Sequence, residues 1–263
     1  MYCSNDFSFV ICAYKDNPYL PQLIESLLNQ TVKVNILMVS STPSVFIFSN
    51  AKKYHIPVFV NHGKSGIAQD WNFGYSKAET QLVAIAHQDD YYCPKFAEQV
   101  IAAANENKNA LILFTDYFEI RKGKRVYRNT NLAVKRLMNL PLRLGLQNMN
   151  VYRNLVLRFG NPICCPAVTF VKDRCGEEPF VTGLRNSCDY KTWIELSRMG
   201  RFVYIPKALM GHRIYKDSTT SAMLKSHVRQ DEDLNIFREF WPEPVARLIY
   251  KLYSLSEKSN ELK

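Results

Sequence analysis

Apolar and polar positions alternate in blocks along the first ninety residues. Phe7–Ala13 (FSFVICA) is a short apolar run suited to a buried strand, closed by the turn and helix-start signal Tyr14-Lys15-Asp16-Asn17-Pro18. Leu20, Leu23, Ile24, Leu27 and Leu28 then recur at helical spacing. Asn35–Val39 reads as a second strand and ends in the polar turn Ser40-Ser41-Thr42-Pro43. A helix near 44–54 leads to a third strand at Val58–Val60. Gly63 and Gly66 flank the next turn, a helix follows over about 67–78, and Leu82–Ala86 is a fourth strand. Strand–helix–strand alternation with short polar loops predicts an α/β chain with a Rossmann-like, mostly parallel central sheet flanked by helices. Ligands of such sheets sit at the carboxyl ends of the strands, so the turns after strands one, two and four are where chemistry is expected. The first of those turns lacks G-x-G-x-x-G and the chain lacks G-x-x-x-x-G-K-[ST], which argues against a dinucleotide enzyme and a P-loop NTPase.

The second half has a different texture. Residues 121–174 carry few strand signals and hold Leu-, Arg- and Asn-rich stretches such as Leu137–Asn150. Ala167–Val171 (AVTFV) reads as a strand, followed by a helix near 190–199 and a strand at Phe202–Ile205. The tail after Lys225 reads as helical, broken at Pro242 and Pro244, with a final apolar stripe of Val245, Leu248, Ile249, Leu252 and Leu255. Glu243, Glu257 and Glu261 dilute the basic residues Arg247, Lys251 and Lys258 around it, which favours docking on the domain or a dimer contact. The other reading of that stripe is a helix lying on a membrane surface.

Charge changes the picture more than composition does. The 263 residues are 47% hydrophobic and 22% charged, ordinary for a globular chain. There are 34 Lys and Arg against 24 Asp and Glu, a net of +10, which calls for an anionic partner: nucleic acid, a membrane surface or a phosphorylated small molecule. Residues 121–174 alone hold twelve bases and one acid, Asp173, while the rest of the chain is close to neutral. The demand is therefore local, which speaks against a uniformly basic nucleic-acid coat and leads to the expectation of no nucleic-acid partner. No apolar run approaches the roughly 18–20 residues of a spanning helix, and the first residues show no secretory pattern. Seven cysteines, an odd number without C-x-x-C, read as reduced thiols of a cytosolic protein, several simply buried.

Three polar spots stand out. The fourth strand runs straight into His87-Gln88-Asp89-Asp90, an oxygen-rich strand end suited to Mg²⁺ or Mn²⁺ bridging a diphosphate. Asp189 precedes a helical pattern, and Gly211-His212-Arg213 follows a strand. Taken singly, the first acidic spot is equally well read as a helix cap, Asp189 is better read as one, and a lone histidine is usually an ordinary surface or core residue.

In order along the chain, however, these pieces resemble family 2 glycosyltransferases. The opening Phe-Val-Ile-Cys-Ala-Tyr-Lys is similar to the family's V-S-V-I-I-P-T-Y-N. Gly66-Ile-Ala-Gln-Asp-Trp-Asn72-Phe-Gly74-Tyr-Ser-Lys-Ala78 is similar to its N-x-G-x-x-x-A-R-N-x-G-x-x-x-A segment. His87-Gln88-Asp89-Asp90 stands at its D-x-D-D, Asp189-Tyr-Lys-Thr-Trp193 resembles its E-D-W-D-L-W, and His212-Arg213-Ile-Tyr-Lys-Asp-Ser218 resembles its H-R-x-x-x-x-S. The resemblance covers roughly residues 7–220. It implies a GT-A fold over 1–224, with a nucleotide-sugar half (1–120) and an acceptor half (121–224), followed by a C-terminal helical extension (225–263). It also implies inverting, metal-dependent transfer from a nucleoside-diphosphate sugar, UDP-linked by preference. The acceptor would be a glycan or a polyprenyl-diphosphate-linked oligosaccharide in surface polysaccharide synthesis, at the cytoplasmic side of the cell membrane. By position, Asp189 would be the general base, and Asp89, His87 and His212 the ligands of Mn²⁺ or Mg²⁺. Ala13, Tyr14, Ser41, Gly66, Asp70, Asn72, Gln88 and Asp89 would line the nucleotide-sugar pocket. Two features depart from the family: Val39-Ser40-Ser41-Thr42 lacks the base-recognising Asp, and Asp70-Trp71 stands where an Arg is usual before Asn72. They keep open a second reading, a catalytically idle module that grips an anionic glycan or lipid through residues 121–174.

Overall fold

The structure, a computed structural model, describes residues 1–146, 149–215 and 227–258. Strands β1 (Phe7–Cys12), β2 (Asn35–Ser40), β3 (Val58–Val60) and β4 (Leu82–His87) lie parallel in the order β3-β2-β1-β4. They are joined through helices α1 (Leu20–Leu28), α2 (Val45–Lys53) and α3 (Ile67–Lys77). β1 and β4 are covered on both faces, which is why each reads as an unbroken apolar run. Period-two alternation splits their side chains: Phe7, Phe9 and Ile11 enter the core under α1, α2 and α4 (Phe96–Glu106), while Val10, Val83 and Ile85 enter the core under α3. Gly74 of α3 makes that second layer possible, because a Cβ there would come within 2.7 Å of Val10 Cγ1.

The sheet continues beyond β4 with strands that are mixed in direction. The full order is β3-β2-β1-β4-β8-β6-β9-β5, formed with β8 (Val168–Val171), β6 (Ala110–Arg121), β9 (Arg201–Ile214) and β5 (Tyr91–Tyr92), while β7 (Lys124–Val126) pairs with β6. β8 is antiparallel to both β4 and β6, whereas β6 and β9 run parallel. β6 and β9 therefore run in the direction of the first four strands and only β8, β5 and β7 are reversed, as a mostly parallel sheet requires, although β6 was not anticipated from the sequence. β9 is also much longer than the expected Phe202–Ile205, so His212 and Arg213 lie in a strand and not in a loop. The register shifts where Ile205 faces Thr115 and Ala208 faces Asp116, and Pro206 sits in that irregularity, where a missing N–H is tolerated.

The other face is helical: α5 (Thr130–Met138), α6 (Leu140–Arg143), α7 (Asn150–Leu157), the short α8 (Lys172–Cys175) and α9 (Cys188–Met199), then helices His227–Arg238 and Glu243–Lys258. Trp193, Ile236, Phe237 and Ala246 are buried in one core with Phe170 and Phe180. In the last helix Ala246, Ile249, Tyr250 and Tyr253 turn inward, whereas Val245, Leu248, Leu252 and Leu255 remain exposed. Of the five residues in the expected stripe, Ile249 alone packs on the domain. All seven cysteines are free thiols, and burial pushes Cys175 up to about 12.

Candidate active site

The site forms where the carboxyl end of β4 meets the far end of β9. β5 pairs with β9 so that Tyr91 faces Gly211, which sets the turn Gln88–Asp90 against His212 and Arg213. Asp90 is fully buried at this junction. Its Oδ1 accepts the Arg213 backbone N–H at 2.9 Å and lies 3.1 Å from His212 Nδ1. Burial alone would raise the Asp90 carboxyl, but His212, His87 and the Arg213 amide outweigh it and hold it below the ordinary range. The same contact raises His212 against the lowering effect of its own burial. The Arg213 guanidinium donates from Nε to the Asp89 carbonyl at 2.8 Å and lies 4.0 Å over the Tyr19 ring, fixing the turn from below.

Asp89 is built differently. Burial and the neighbouring Asp90 charge lift its carboxyl to about 6. His87 is driven down to about 4 by burial, with its ring stacked on Trp71 at 5.0 Å and 16°. Its Nδ1 is 3.9 Å from Asp90 Oδ2. His87 Nε2 and Asp90 Oδ2 are both buried without a hydrogen-bond partner among the described residues. Among the described residues no three His, Cys, Asp or Glu side chains gather closely enough to hold a metal by themselves. Lys216, Asp217 and Ser218 of the expected His-Arg segment lie outside the described residues.

One cleft of ≈ 870 Å³ joins this strand end to the rest of the expected site, a size suited to a nucleotide-sized ligand. Ala13, Tyr14, Gly66, Asp70, Gln88, Asp89, His87, His212 and Asp189 all line it. Gln88 holds the loop after β1: its Oε1 accepts Tyr14 N–H at 3.0 Å and its Nε2 donates to the Tyr14 carbonyl at 2.7 Å. Ser41 gives its hydroxyl to Asp70 Oδ2 at 2.6 Å, and Asn61 Nδ2 donates to Asp70 Oδ1 at 2.8 Å. A carboxylate from α3 therefore stands where the turn after β2 lacks one. Asn72 requires a correction. It is buried with both amide atoms spent on Phe180, Nδ2 donating to the carbonyl at 2.8 Å and Oδ1 accepting the N–H at 2.9 Å. It is a strut that ties α3 to the loop before α9, and it does not line the cleft.

Asp189 occupies the opposite, helical wall, in the first turn of α9. Its Oδ2 accepts from Asn161 Nδ2 at 3.0 Å and its Oδ1 from the Tyr190 N–H at 2.7 Å. Burial nevertheless raises its carboxyl above the ordinary range. The loop that aims it is tied to helix His227–Arg238. Glu232 accepts the backbone N–H groups of Arg185, Asn186 and Ser187 at 2.7, 2.9 and 3.0 Å, and Asp233 accepts the Ser187 hydroxyl at 2.6 Å. Sequence reasoning missed Glu232 and Asp233, since nothing in a helical charge pattern marks an acid that caps a remote loop, and it did not assign Asp90 its supporting part. Lys64, Lys135, Arg185 and Arg229 also line the cleft, so of the bases in the segment 121–174 Lys135 reaches it.

A strand-end acid pair and an opposed carboxylate thus share one cleft, lined by bases and acids alike, on a mixed α/β sheet. The model of glycosyl transferase family 2 matches residues 8–172, well over half of the chain, and the chain belongs to that family. A glycosyltransferase of Haemophilus influenzae, described as uncharacterized, is 22% identical over 245 residues, covering 88% of this chain and 72% of that protein. Among solved structures, S. aureus TarS 1–349 in complex with UDP-GlcNAc superposes with a TM-score of 0.66 at 14% identity, over 97% of this chain and 73% of that one. The mannosyltransferase PcManGT from Pyrobaculum calidifontis, in complex with GDP-Man and Mn²⁺, superposes with a TM-score of 0.62 at 11% identity, over 97% and 70%. The fold is GT-A and the protein is a glycosyltransferase. The family match ends at residue 172, so Asp189 and His212 enter the site through the fold and the geometry.

Proposed function

We propose that this enzyme moves a sugar, with inversion, from a nucleoside-diphosphate sugar to the hydroxyl of a glycan or polyprenyl-diphosphate-linked acceptor. The observation that carries this reading is the placement of Asp89 and Asp189 in one cleft, both carboxyls raised by burial and each held by different elements. Asp189 takes the proton of the acceptor hydroxyl. The freed oxygen pair forms the new bond to the anomeric carbon as the bond from that carbon to the diphosphate oxygen breaks, and the diphosphate leaves with the electron pair. One displacement inverts the centre and needs no protein nucleophile.

Asp89 and His212 fit a divalent ion: a carboxylate and an imidazole, with Asp90 bonded to Nδ1 of His212 so that Nε2 is turned to other use. Two protein donors are the number that Mg²⁺ or Mn²⁺ takes when phosphate oxygens and water complete the shell. His87, stacked on Trp71, is a further donor beside them. Such an ion supplies charge neutralisation to the leaving diphosphate. Asp70, fixed by Ser41 and Asn61, accepts an imide N–H of the nucleobase, which favours uracil over cytosine. TarS in complex with UDP-GlcNAc and PcManGT with GDP-Man and Mn²⁺ support a nucleotide-sugar donor. A calorimetric screen of UDP, GDP, CDP and ADP with and without Mn²⁺, followed by turnover of the matching sugar donors, tests the reading. Metal-dependent binding of UDP is expected, and metal-independent binding or a preference for CDP would overturn it.

A further inference from the structure

Most of the basic excess does not face the cleft. Between Glu119 and Asp173 the sequence has no acid at all, and Arg128, Arg143 and Arg158 of that stretch are exposed. The same stretch exposes large apolar side chains: Leu137 at 69%, Leu144 at 67% and Val151 at 68%. The last helix packs beside α5 and adds its outward ridge, with Leu248, Leu252 and Leu255 at 58–60% exposure and Val245 at its head. Those four recur at three- and four-residue intervals, one continuous stripe, with Arg247 and Lys251 along its flank. Glu243 is drawn away from the stripe's charge, paired with Arg238 and Arg247. Exposed apolar area of this extent, beside a segment with a basic surplus, is not what a free monomer surface carries.

We propose that helices α5–α7 and the last helix form a docking face for an anionic phospholipid bilayer. Apolar side chains enter the headgroup region while Arg128, Arg143, Arg158 and Lys251 meet lipid phosphates, the arrangement of an interfacial amphipathic surface. No helix among the described residues is long and apolar enough to cross a membrane, so the contact is peripheral. The face also adjoins the cleft: Tyr253, on the inward side of the last helix, and Lys135 of α5 both line it. An acceptor carried by a lipid in that bilayer would thus present its sugar end at the cleft's rim. A second copy of the chain is the competing occupant, but two surfaces with this basic surplus repel one another, whereas an anionic bilayer complements them.

Vesicle co-sedimentation of the full chain tests this without reference to turnover. Binding to phosphatidylglycerol vesicles, absent with phosphatidylcholine and weakened by salt, is expected. Leu248→Glu/Leu252→Glu and, separately, Arg128→Glu/Arg143→Glu should each cut the partition at least tenfold, with nucleotide binding and melting temperature unchanged. Leu137→Glu on α5 repeats the test should the helix variant unfold. Equal binding to both lipids, no binding, or binding that none of these variants weakens overturns the proposal. So does a dimer in sedimentation velocity that Leu248→Glu/Leu252→Glu abolishes, which would give the ridge to a second copy.

Discussion

The sheet wall and the helical wall of the cleft each present a carboxylate, but they hold it by different means. On the sheet side, Asp90 absorbs the structural duty, bonded to His212 and the Arg213 amide, and leaves Asp89 raised to about 6. On the helical side, Asp189 has no such deputy. It keeps two bonds of its own, to Asn161 and Tyr190, and its aim depends on Glu232 gripping the preceding loop. The sheet wall is therefore fixed by strand pairing, with its hydrogen bonds made before any ligand arrives. The helical wall is held through a helix that lies more than forty residues away in sequence. On the proposed function, the strand-paired wall would hold the donor diphosphate in a preorganised site and the helix-tied wall would face the acceptor.

The sharpest way to break this comparison is to neutralise the helical carboxylate. Asp189→Asn should lower turnover by about 10²–10⁴-fold, the usual worth of a general base, while nucleotide affinity measured by calorimetry stays within twofold. Because burial raises this carboxyl, the wild-type rate should fall on acidification at a higher pH than a free aspartate would give. The sign follows from the role, since the base works as the carboxylate and is lost as pH drops through a raised pKa. The variant should also melt no lower than the wild type at neutral pH, since it removes a charge that folding buries at a cost. Full turnover by the variant would end the role of Asp189.

The same contrast explains what could be read from the chain. Strands β1, β2 and β4 were legible because parallel strands covered on both faces leave apolar runs bounded by turns, and β3, a short edge strand with Phe59 exposed, by its apolar residues between turns. β9 was cut short because Pro206, Gly211 and the polar pair His212-Arg213 interrupt that signature, although the strand pairs with β6 throughout. The acids of the strand end were visible, but not their division of labour. Which of Asp89 and Asp90 turns inward is decided by the Arg213 amide, 123 residues further on. Asn72 misled for the same reason: its amide suits a nucleotide, and Phe180, 108 residues away, takes it. Glu232 and Asp233 look like solvated helix charge until the fold brings Ser187 to them.

Asp90→Ala attacks the sheet wall at its support. It strips His212 and the Arg213 N–H of a buried partner, and removing one member of such a buried pair costs about 3 kcal/mol of stability, read as a lower denaturant midpoint. In the fraction that stays folded, Mn²⁺-dependent nucleotide affinity should drop about 10–100-fold, the typical effect of losing a group that orients a metal ligand. Glu232→Ala is the matching change on the helical wall. It frees three backbone N–H groups at the loop before α9 and should raise the acceptor KM with donor affinity intact. If both variants damaged donor binding alike, the two walls would not be independent.

Asp70→Asn is the mildest of these changes and the most selective. The carboxylate accepts from Ser41 and Asn61 and has lone pairs left for a base N–H. An amide in its place keeps the volume and adds a donor, so the uracil N3–H would meet N–H while the cytosine N3 lone pair would gain a partner. UDP affinity should fall about tenfold, CDP affinity should rise, and the ratio of the two should move more than either alone, since a hydrogen bond to a charged group is worth about 1.5–3 kcal/mol. Folding and metal dependence should be untouched, because Asp70 shares no contact with Asp90 or His212 among the hydrogen bonds of the described residues. An unchanged UDP-to-CDP ratio would place base selection elsewhere in the cleft and leave Asp70 as a tie between α3 and the turns after β2 and β3.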